Sequence, residues 1–84
     1  MSIDVLREYV YYGREIEFDY QNKKFSITYG KDPASGDGHI ISFCEFYQEP
    51  IDVKTVDELL QAEWNGEKLK NIWESLTEED VWIY

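Results

Sequence analysis

The 84-residue sequence contains one cysteine, two prolines and five glycines, and it is short of basic residues. Because Cys44 has no partner, no intramolecular disulfide can staple the fold, and a single thiol is typical of a reducing compartment. So few prolines and glycines exclude a collagen-like fibre or a low-complexity linker. Aromatic residues are abundant instead: three Trp, seven Tyr and four Phe can fill the core of a small domain. We therefore expect a single small acidic domain spanning residues 1–84.

The sequence has eight Lys and Arg residues and eighteen Asp and Glu residues, which gives a formal net charge of −10. Nucleic acid and anionic lipid surfaces would repel such a chain, so we expect no direct nucleic-acid binding and no membrane binding. No apolar run approaches the roughly 20 residues of a membrane span, and residues 1–5 lack the basic and apolar regions of a signal peptide. These features predict a cytoplasmic protein.

Apolar periodicity predicts the first helix. Ile3, Leu6 and Val10 recur at three- and four-residue spacing, which indicates a helix over residues 3–12. Ser2 is placed to cap its first turn, and Gly13 is placed to end it in the left-handed conformation.

Two alternating segments, residues 14–20 and 25–29, then predict a β-hairpin. We place a two-residue turn at Asn22-Lys23. This turn pairs Tyr20 with Phe25, Phe18 with Ile27 and Ile16 with Tyr29, so that both members of each pair share one face. The opposite face carries polar residues and is typical of a solvated surface: Glu15, Glu17, Asp19, Ser26 and Thr28.

The segment Gly30–Gly38 is predicted to be a loop, and His39–Tyr47 a third strand. This strand is apolar at both alternating sets of positions. Either it is covered on two sides, or it carries a bulge near Cys44-Glu45. Ile51 and Val53 are expected to pack at the sheet edge.

The C-terminal half predicts two helices and a final strand. Thr55 and Glu58 form a capping-box pattern before a short helix, which Asn65-Gly66 ends. A second helix follows, with Glu67 placed to complement its dipole. Val81–Tyr84 has the composition of an edge strand. The element order α-β-β-β-α-α-β indicates an α+β domain, an antiparallel three- to four-stranded sheet with helices packed on one face. The predicted core comprises Leu6, Val10, Ile16, Phe18, Phe25, Ile27, Ile41, Phe43, Leu59, Leu60, Leu69, Ile72, Trp73 and Leu76.

No catalytic constellation is recognisable in the sequence. His39 and Cys44 share one predicted strand at a separation of five residues, which puts them on opposite faces and roughly 16 Å apart. We interpret Cys44 as a small core residue and His39 as a partly exposed residue at the strand entrance. The carboxylates are not paired across a cleft, and they lack the His or Cys that would complete a transition-metal site. We therefore expect a protein that is not an enzyme, with no cofactor and no metal site.

Four segments resemble a known group of proteins. Gly13–Phe18 and Tyr20–Thr28 look like the front hairpin of small acidic uncharacterised proteins from Gram-positive bacteria and their phages, and Asn65–Trp73 resembles their closing helix. Ile83-Tyr84 resembles their ending. The resemblance implies a cytosolic or prophage-encoded protein, and it assigns no functional residues. That family has Asn-Gly at the hairpin turn, where this chain has Asn22-Lys23.

The acidity is concentrated in the C-terminal half and leaves two functional hypotheses. Residues 1–44 hold seven acids and five bases, whereas residues 45–84 hold eleven acids and three bases. The first hypothesis is a non-enzymatic accessory domain whose charge maintains solubility. The alternative is a stoichiometric inhibitor or nucleic-acid mimic that engages a basic protein through its acidic half. The candidate partner-binding acids are Asp57, Glu58, Glu63, Glu74, Glu78, Glu79 and Asp80.

Overall fold

The computed structural model describes residues 1–31 and 38–84, and it has the predicted α+β architecture. The elements in chain order are α1 (Ile3–Tyr11), β1 (Ile16–Tyr20), β2 (Lys23–Lys31), β3 (His39–Glu45), β4 (Ile51–Val53), α2 (Val56–Gln61), β5 (Glu63–Trp64), β6 (Glu67–Lys68), α3 (Leu69–Ser75), a 3-10 helix (Glu78–Asp80) and β7 (Val81–Ile83). Most of the loop predicted at Gly30–Gly38 lies outside the described residues; Gly30 and Lys31 belong to β2.

The main sheet is antiparallel and has five strands in the order β4-β3-β2-β1-β7. It exceeds the predicted three or four strands because residues 51–53 pair with β3 as an edge strand. The predicted C-terminal strand is confirmed as β7 at the opposite edge. A two-stranded ribbon of β5 and β6 connects α2 to α3. Buried residues of the three α-helices and of the sheet form one core, so the helices cover one face of the sheet.

The ends of α1 confirm the predicted capping residues. The Ser2 side chain accepts a hydrogen bond from the backbone N–H of Val5 at 3.3 Å. At the other end Gly13 has a φ of 67°, and its N–H and that of Arg14 donate to the carbonyls of Val10 and Tyr9. This pair of bonds is a Schellman motif, which needs a left-handed residue at the glycine position.

The predicted register of the β1–β2 hairpin is wrong by two residues. The turn consists of Gln21 and Asn22, which have φ values of 51° and 63°, and not of Asn22 and Lys23. Two positive φ values are the signature of a type I′ turn, whose twist matches that of the flanking strands. The resulting register places Phe18 opposite Phe25, with their rings stacked at a centroid distance of 5.1 Å.

The expectations for the third strand are also corrected. β3 ends at Glu45, and its described pairs with β2 run in unbroken register without a bulge. Tyr47 lies in the following turn with a φ of 68° and is 99% exposed. Cys44 is half-buried and points away from the helices, so it is not a core residue. The strand is apolar at both sets of positions because Ile40 and Cys44 lie on an uncovered sheet face.

The capping box before α2 is confirmed in part. The N–H of Glu58 donates to the Thr55 hydroxyl at 3.1 Å, but the Glu58 carboxylate accepts from that hydroxyl and not from the backbone. The prediction that Glu67 lies at the N-terminus of α3 is wrong. Glu67 belongs to β6, and its carboxylate accepts a hydrogen bond from the Tyr20 hydroxyl at 2.6 Å.

All fourteen predicted core residues are buried, and Trp73 is the largest of them. Its indole is completely buried and meets the Phe18 ring edge-on, at a centroid distance of 6.2 Å. The indole N–H donates to the backbone carbonyl of Ser2 at 2.7 Å. The same side chain therefore packs on the sheet and holds the N-terminus of α1 against α3.

We expect Trp73→Ala to lower the free energy of unfolding by about 3–5 kcal/mol, because it leaves a large cavity and removes the indole hydrogen bond to the Ser2 carbonyl. Trp73→Phe is the matched control, since it keeps an aromatic ring and loses mainly the hydrogen bond to Ser2. Chemical denaturation measures both variants. A loss below about 1 kcal/mol for Trp73→Ala would mean that α3 is not packed as described.

Candidate interaction surface

The structure separates the two residues best suited to nucleophilic chemistry. His39 lies opposite Lys31 and Cys44 lies opposite Ser26, so their side chains occupy opposite faces of the sheet, as predicted. His39 is exposed and stacks on Tyr29 at a ring-centroid distance of 5.0 Å. Cys44 Sγ lies 3.5 Å from the Ser26 hydroxyl. No general base of the described chain contacts the thiol.

Residues 1–31 and 38–84 offer neither a cluster of metal ligands nor a membrane-spanning helix. No group of three or more His, Cys, Asp or Glu side chains is placed to hold a metal ion there. No helix in this part of the chain is long and apolar enough to cross a membrane.

The seven predicted partner-binding acids lie in different places in the fold. Asp57 and Glu58 occupy the first turn of α2, directly after the edge strand β4. Glu78–Asp80 leads into β7 at the other edge, and the two edge strands β4 and β7 are four strand spacings, or about 19 Å, apart. Glu63 lies in the ribbon and Glu74 in α3. The tertiary structure therefore does not gather these acids into one cluster.

Three of these acids already have partners within the domain. Asp57 forms an ion pair with Arg7 at 2.7 Å, and Glu58 accepts from the Thr55 hydroxyl at 3.3 Å. Asp80 is half-buried, and its carboxylate accepts from both the N–H and the hydroxyl of Thr77 at 2.9 and 3.1 Å. The four remaining acids are exposed and form no ion pair within the described residues: Glu63, Glu74, Glu78 and Glu79.

We expect Asp80→Ala to lower the free energy of unfolding by about 1 kcal/mol, because the Thr77 N–H then loses the acceptor that caps the 3-10 helix. Asp80→Asn keeps a side-chain oxygen acceptor and should cost less. Urea denaturation of both variants tests this expectation. Equal stability of Asp80→Ala and the wild type would show that this carboxylate has no structural role.

A cluster of side chains where the ribbon meets the sheet raises the pKa of Tyr20. The Tyr20 hydroxyl donates to Glu67, and this hydrogen bond raises the pKa of Tyr20 above its ordinary value of 10.0. Desolvation and the charge of Glu67 raise the pKa further, whereas a hydrogen bond with Gln21 lowers it. The Trp64 indole meets the Tyr20 ring edge-on and donates to Glu45 at 3.1 Å. These hydrogen bonds hold the ribbon against the sheet, so the cluster stabilises the fold.

The raised pKa predicts a pH-dependent difference between the wild type and Tyr20→Phe. The folded state holds the phenolic proton more tightly than the unfolded state, so the bond stabilises the fold at neutral pH. This stabilisation is lost as the pH rises through the raised pKa of Tyr20. Urea midpoints measured from neutral to alkaline pH should therefore converge above pH 10. Tyr47→Phe, at a fully exposed tyrosine, is the control; convergence at neutral pH would contradict the prediction.

The face of the sheet turned away from the helices is open in the described part of the chain. Strand alternation and the register place eleven residues there: Glu17, Asp19, Lys24, Ser26, Thr28, Gly30, Ile40, Ser42, Cys44, Asp52 and Trp82. The central strands β2 and β3 contribute mostly small side chains, and the flanking strands contribute acids. We call this surface the open face.

Direct contacts order the side chains of the open face. The Ser42 hydroxyl donates to Asp52 at 2.5 Å, which links β3 to β4. Lys24 pairs with Asp19 at 3.2 Å and lies over the Trp82 ring, 4.6 Å from its centroid. Sequence alternation predicts that the polar stripe of β1 and β2 is solvated. It does not predict the continuation of this stripe across Ser42 and Cys44, because that requires the β2–β3 register.

Comparisons of the chain with protein-family models, with curated proteins and with solved structures find no match.

Proposed function

We propose that this protein is a small non-catalytic binding protein that engages a basic surface of a partner protein, one copy to one partner. The observation that carries the proposal is the set of exposed carboxylates without a cation beside them. The chain has a formal charge of −10, and the ion pairs within its described part join only Asp19, Glu45 and Asp57 to a base. Most of the negative charge is therefore turned toward solvent.

The segment from Glu74 to Asp80 supports this function in a specific way. Glu74, Glu78 and Glu79 are exposed within six residues of each other. The hydrogen bonds from Thr77 to Asp80 hold the 3-10 helix that carries two of them. A prearranged pair of carboxylates loses less conformational entropy on binding than a flexible pair. The partner chemistry that fits is a Lys- or Arg-rich protein surface, including one that otherwise binds nucleic acid.

Electrostatic attraction of this kind acts mainly on the association rate. Negative potential attracts a basic surface over about a Debye length, roughly 10 Å at 0.1 M salt. Association should therefore be fast at low salt and slow as the salt concentration rises. If the charge served solubility alone, no partner would show this dependence.

The test begins with capture from a cell lysate at low salt, with an unrelated protein of equal charge as the control. We expect one basic protein, retained in near-equimolar amount only by this chain and released by salt. Retention of the same proteins by the control would instead favour the accessory domain whose acidity maintains solubility.

The partner so obtained allows a matched comparison of variants. Glu78→Gln/Glu79→Gln should slow association roughly threefold at low salt, since steering as a whole contributes about 10- to 1,000-fold. Glu8→Gln/Glu49→Gln removes the same charge elsewhere and should have a smaller effect. Asp80 is left intact because it caps the 3-10 helix. Stopped-flow experiments over a range of salt concentrations measure the association rate of both double variants. Identical rates for the two would show that the acids of the 3-10 helix have no special role in association.

A further inference from the structure

Small side chains run along the centre of the open face between acidic ones on the flanking strands, and we call this strip the trough. Its floor consists of Ser26 and Thr28 from β2 and of Ser42 and Cys44 from β3, which lie opposite one another in register. All four side chains are small, and the Ser26 hydroxyl lies 3.5 Å from Cys44 Sγ. Small side chains on two adjacent strands leave room above the sheet for another element to approach the backbone closely.

Acidic side chains stand on both sides of this floor. Glu17 of β1 lies opposite Ser26, and Asp52 of β4 lies opposite Ser42. Glu15 lies on the same side of the floor as Glu17, two residues before it in the chain. Its backbone carbonyl accepts a hydrogen bond from the Tyr84 N–H at 2.8 Å, which extends the pairing of β1 with β7 to this residue. β1 and β4 are three strand spacings apart, or about 14 Å. An α-helix with its side chains is about 10–12 Å wide and fits between them.

The length of the trough sets the length of that helix. β2 crosses the trough from Lys24 to Gly30, which at about 3.4 Å per residue is roughly 20 Å. A helix rises about 1.5 Å per residue, so about 14 residues fill this distance. The contact is small compared with stable complexes, and we expect micromolar affinity.

The charge of the open face selects the occupant. Lys24 is the cation at an outward strand position in the described residues, and Asp19 offsets its charge at 3.2 Å. Trp82 lies beyond Glu17 on β7, with Lys24 of this chain over its ring. The carboxylates beside the trough attract Lys and Arg. A second copy of this chain, nucleic acid and an anionic membrane would each be repelled.

We infer that the open face docks an amphipathic helix of a partner protein, with Lys or Arg along both flanks and small residues facing the floor. The inference rests on the proposed function, because it names the surface with which the basic partner is engaged. The basic flanks reach Glu15 and Glu17 on one side and Asp52 on the other. The exposed acids Glu78 and Glu79 lie just before β7 and add to the attraction at that edge.

The first experiment uses a synthetic 14-residue helical peptide with Ala and Ser along one stripe and Arg on both flanks. A peptide of the same composition in scrambled order is the control. The two are titrated into isotopically labelled protein at low salt and followed by NMR. We expect saturable shifts centred on Ser26, Thr28, Ser42 and Cys44, and several-fold weaker binding of the scrambled peptide.

A second experiment blocks the floor through Cys44, the single thiol of the chain. Alkylation with a bulky maleimide should weaken peptide binding roughly tenfold or more, because the adduct occupies the space above the floor. The matched control carries the same adduct at Asn71→Cys in a Cys44→Ser background. Asn71 is exposed on α3, in the helix layer, so this adduct should leave affinity unchanged. Thermal melts confirm that both adducts remain folded.

A charge reversal provides a test that does not disturb the floor. Glu15→Lys should weaken the peptide complex several-fold, whereas Glu8→Lys makes the same change on α1 and should have a smaller effect. Peptide binding that maps to α3 and the 3-10 helix, or that ignores the Cys44 adduct, overturns the inference and leaves the proposed function standing. Failure of the peptide to bind also overturns it. If in addition no basic partner is captured from lysate, the proposed function fails as well.

Discussion

The burial of the Trp73 indole is the interaction on which the rest of the fold depends. An 84-residue domain has a thin core, so a single large side chain makes a large share of its contacts. Trp73 meets Phe18 in the centre of the sheet, and its N–H holds the carbonyl of Ser2 at the start of α1. The N-terminal amino group also donates to the carbonyl of Leu76, directly after α3. These two hydrogen bonds hold the start of α1 against the end of α3, above the centre of the sheet.

This one-sided core determines the character of the opposite side of the sheet. Phe18, Phe25 and Phe43 stack on the covered face, while the alternate positions of the same strands point the other way. An antiparallel sheet is stable with one solvated face, so hydroxyls and carboxylates there cost the core nothing. The edge strands β4 and β7 are only three residues long, which limits edge-to-edge pairing with other chains. The proposed binding of a partner is accordingly better served by the face of the sheet than by its edges.

The acids of the chain divide into two groups by what they contact. Asp80 and Glu67 accept hydrogen bonds that hold a 3-10 helix and a ribbon in place. Glu74, Glu78 and Glu79 make no such contacts in the described structure and project into solvent. The first group stabilises the fold, and the second supplies the negative potential on which the proposed binding depends. Composition alone counts both groups together, so it overstates the charge that is free to act on a partner.

The sequence by itself determined the core and the order of the major elements, because apolar period and capping chemistry are local properties. All fourteen core residues were predicted from spacing, and the capping roles of Ser2 and Gly13 followed from residue type. Only the tertiary structure decided the register. A hairpin shifted by two residues keeps every side chain on its own face, so alternation cannot distinguish the two registers. The positive φ values of Gln21 and Asn22 and the stacking of Phe18 on Phe25 distinguish them.

The same reasoning applies to the candidate site. Charge asymmetry identified acids of the C-terminal half, but their separation at opposite edges of the sheet depends on strand order, which no local pattern encodes. Only the β1–β2 part of the open face is predictable from the sequence, for a related reason. Its floor joins Ser26 to Cys44, eighteen residues apart in sequence, and these become neighbours only through the pairing of β2 with β3. Sequence period assigns a residue to a face, whereas hydrogen bonding between distant strands decides which residues share that face side by side.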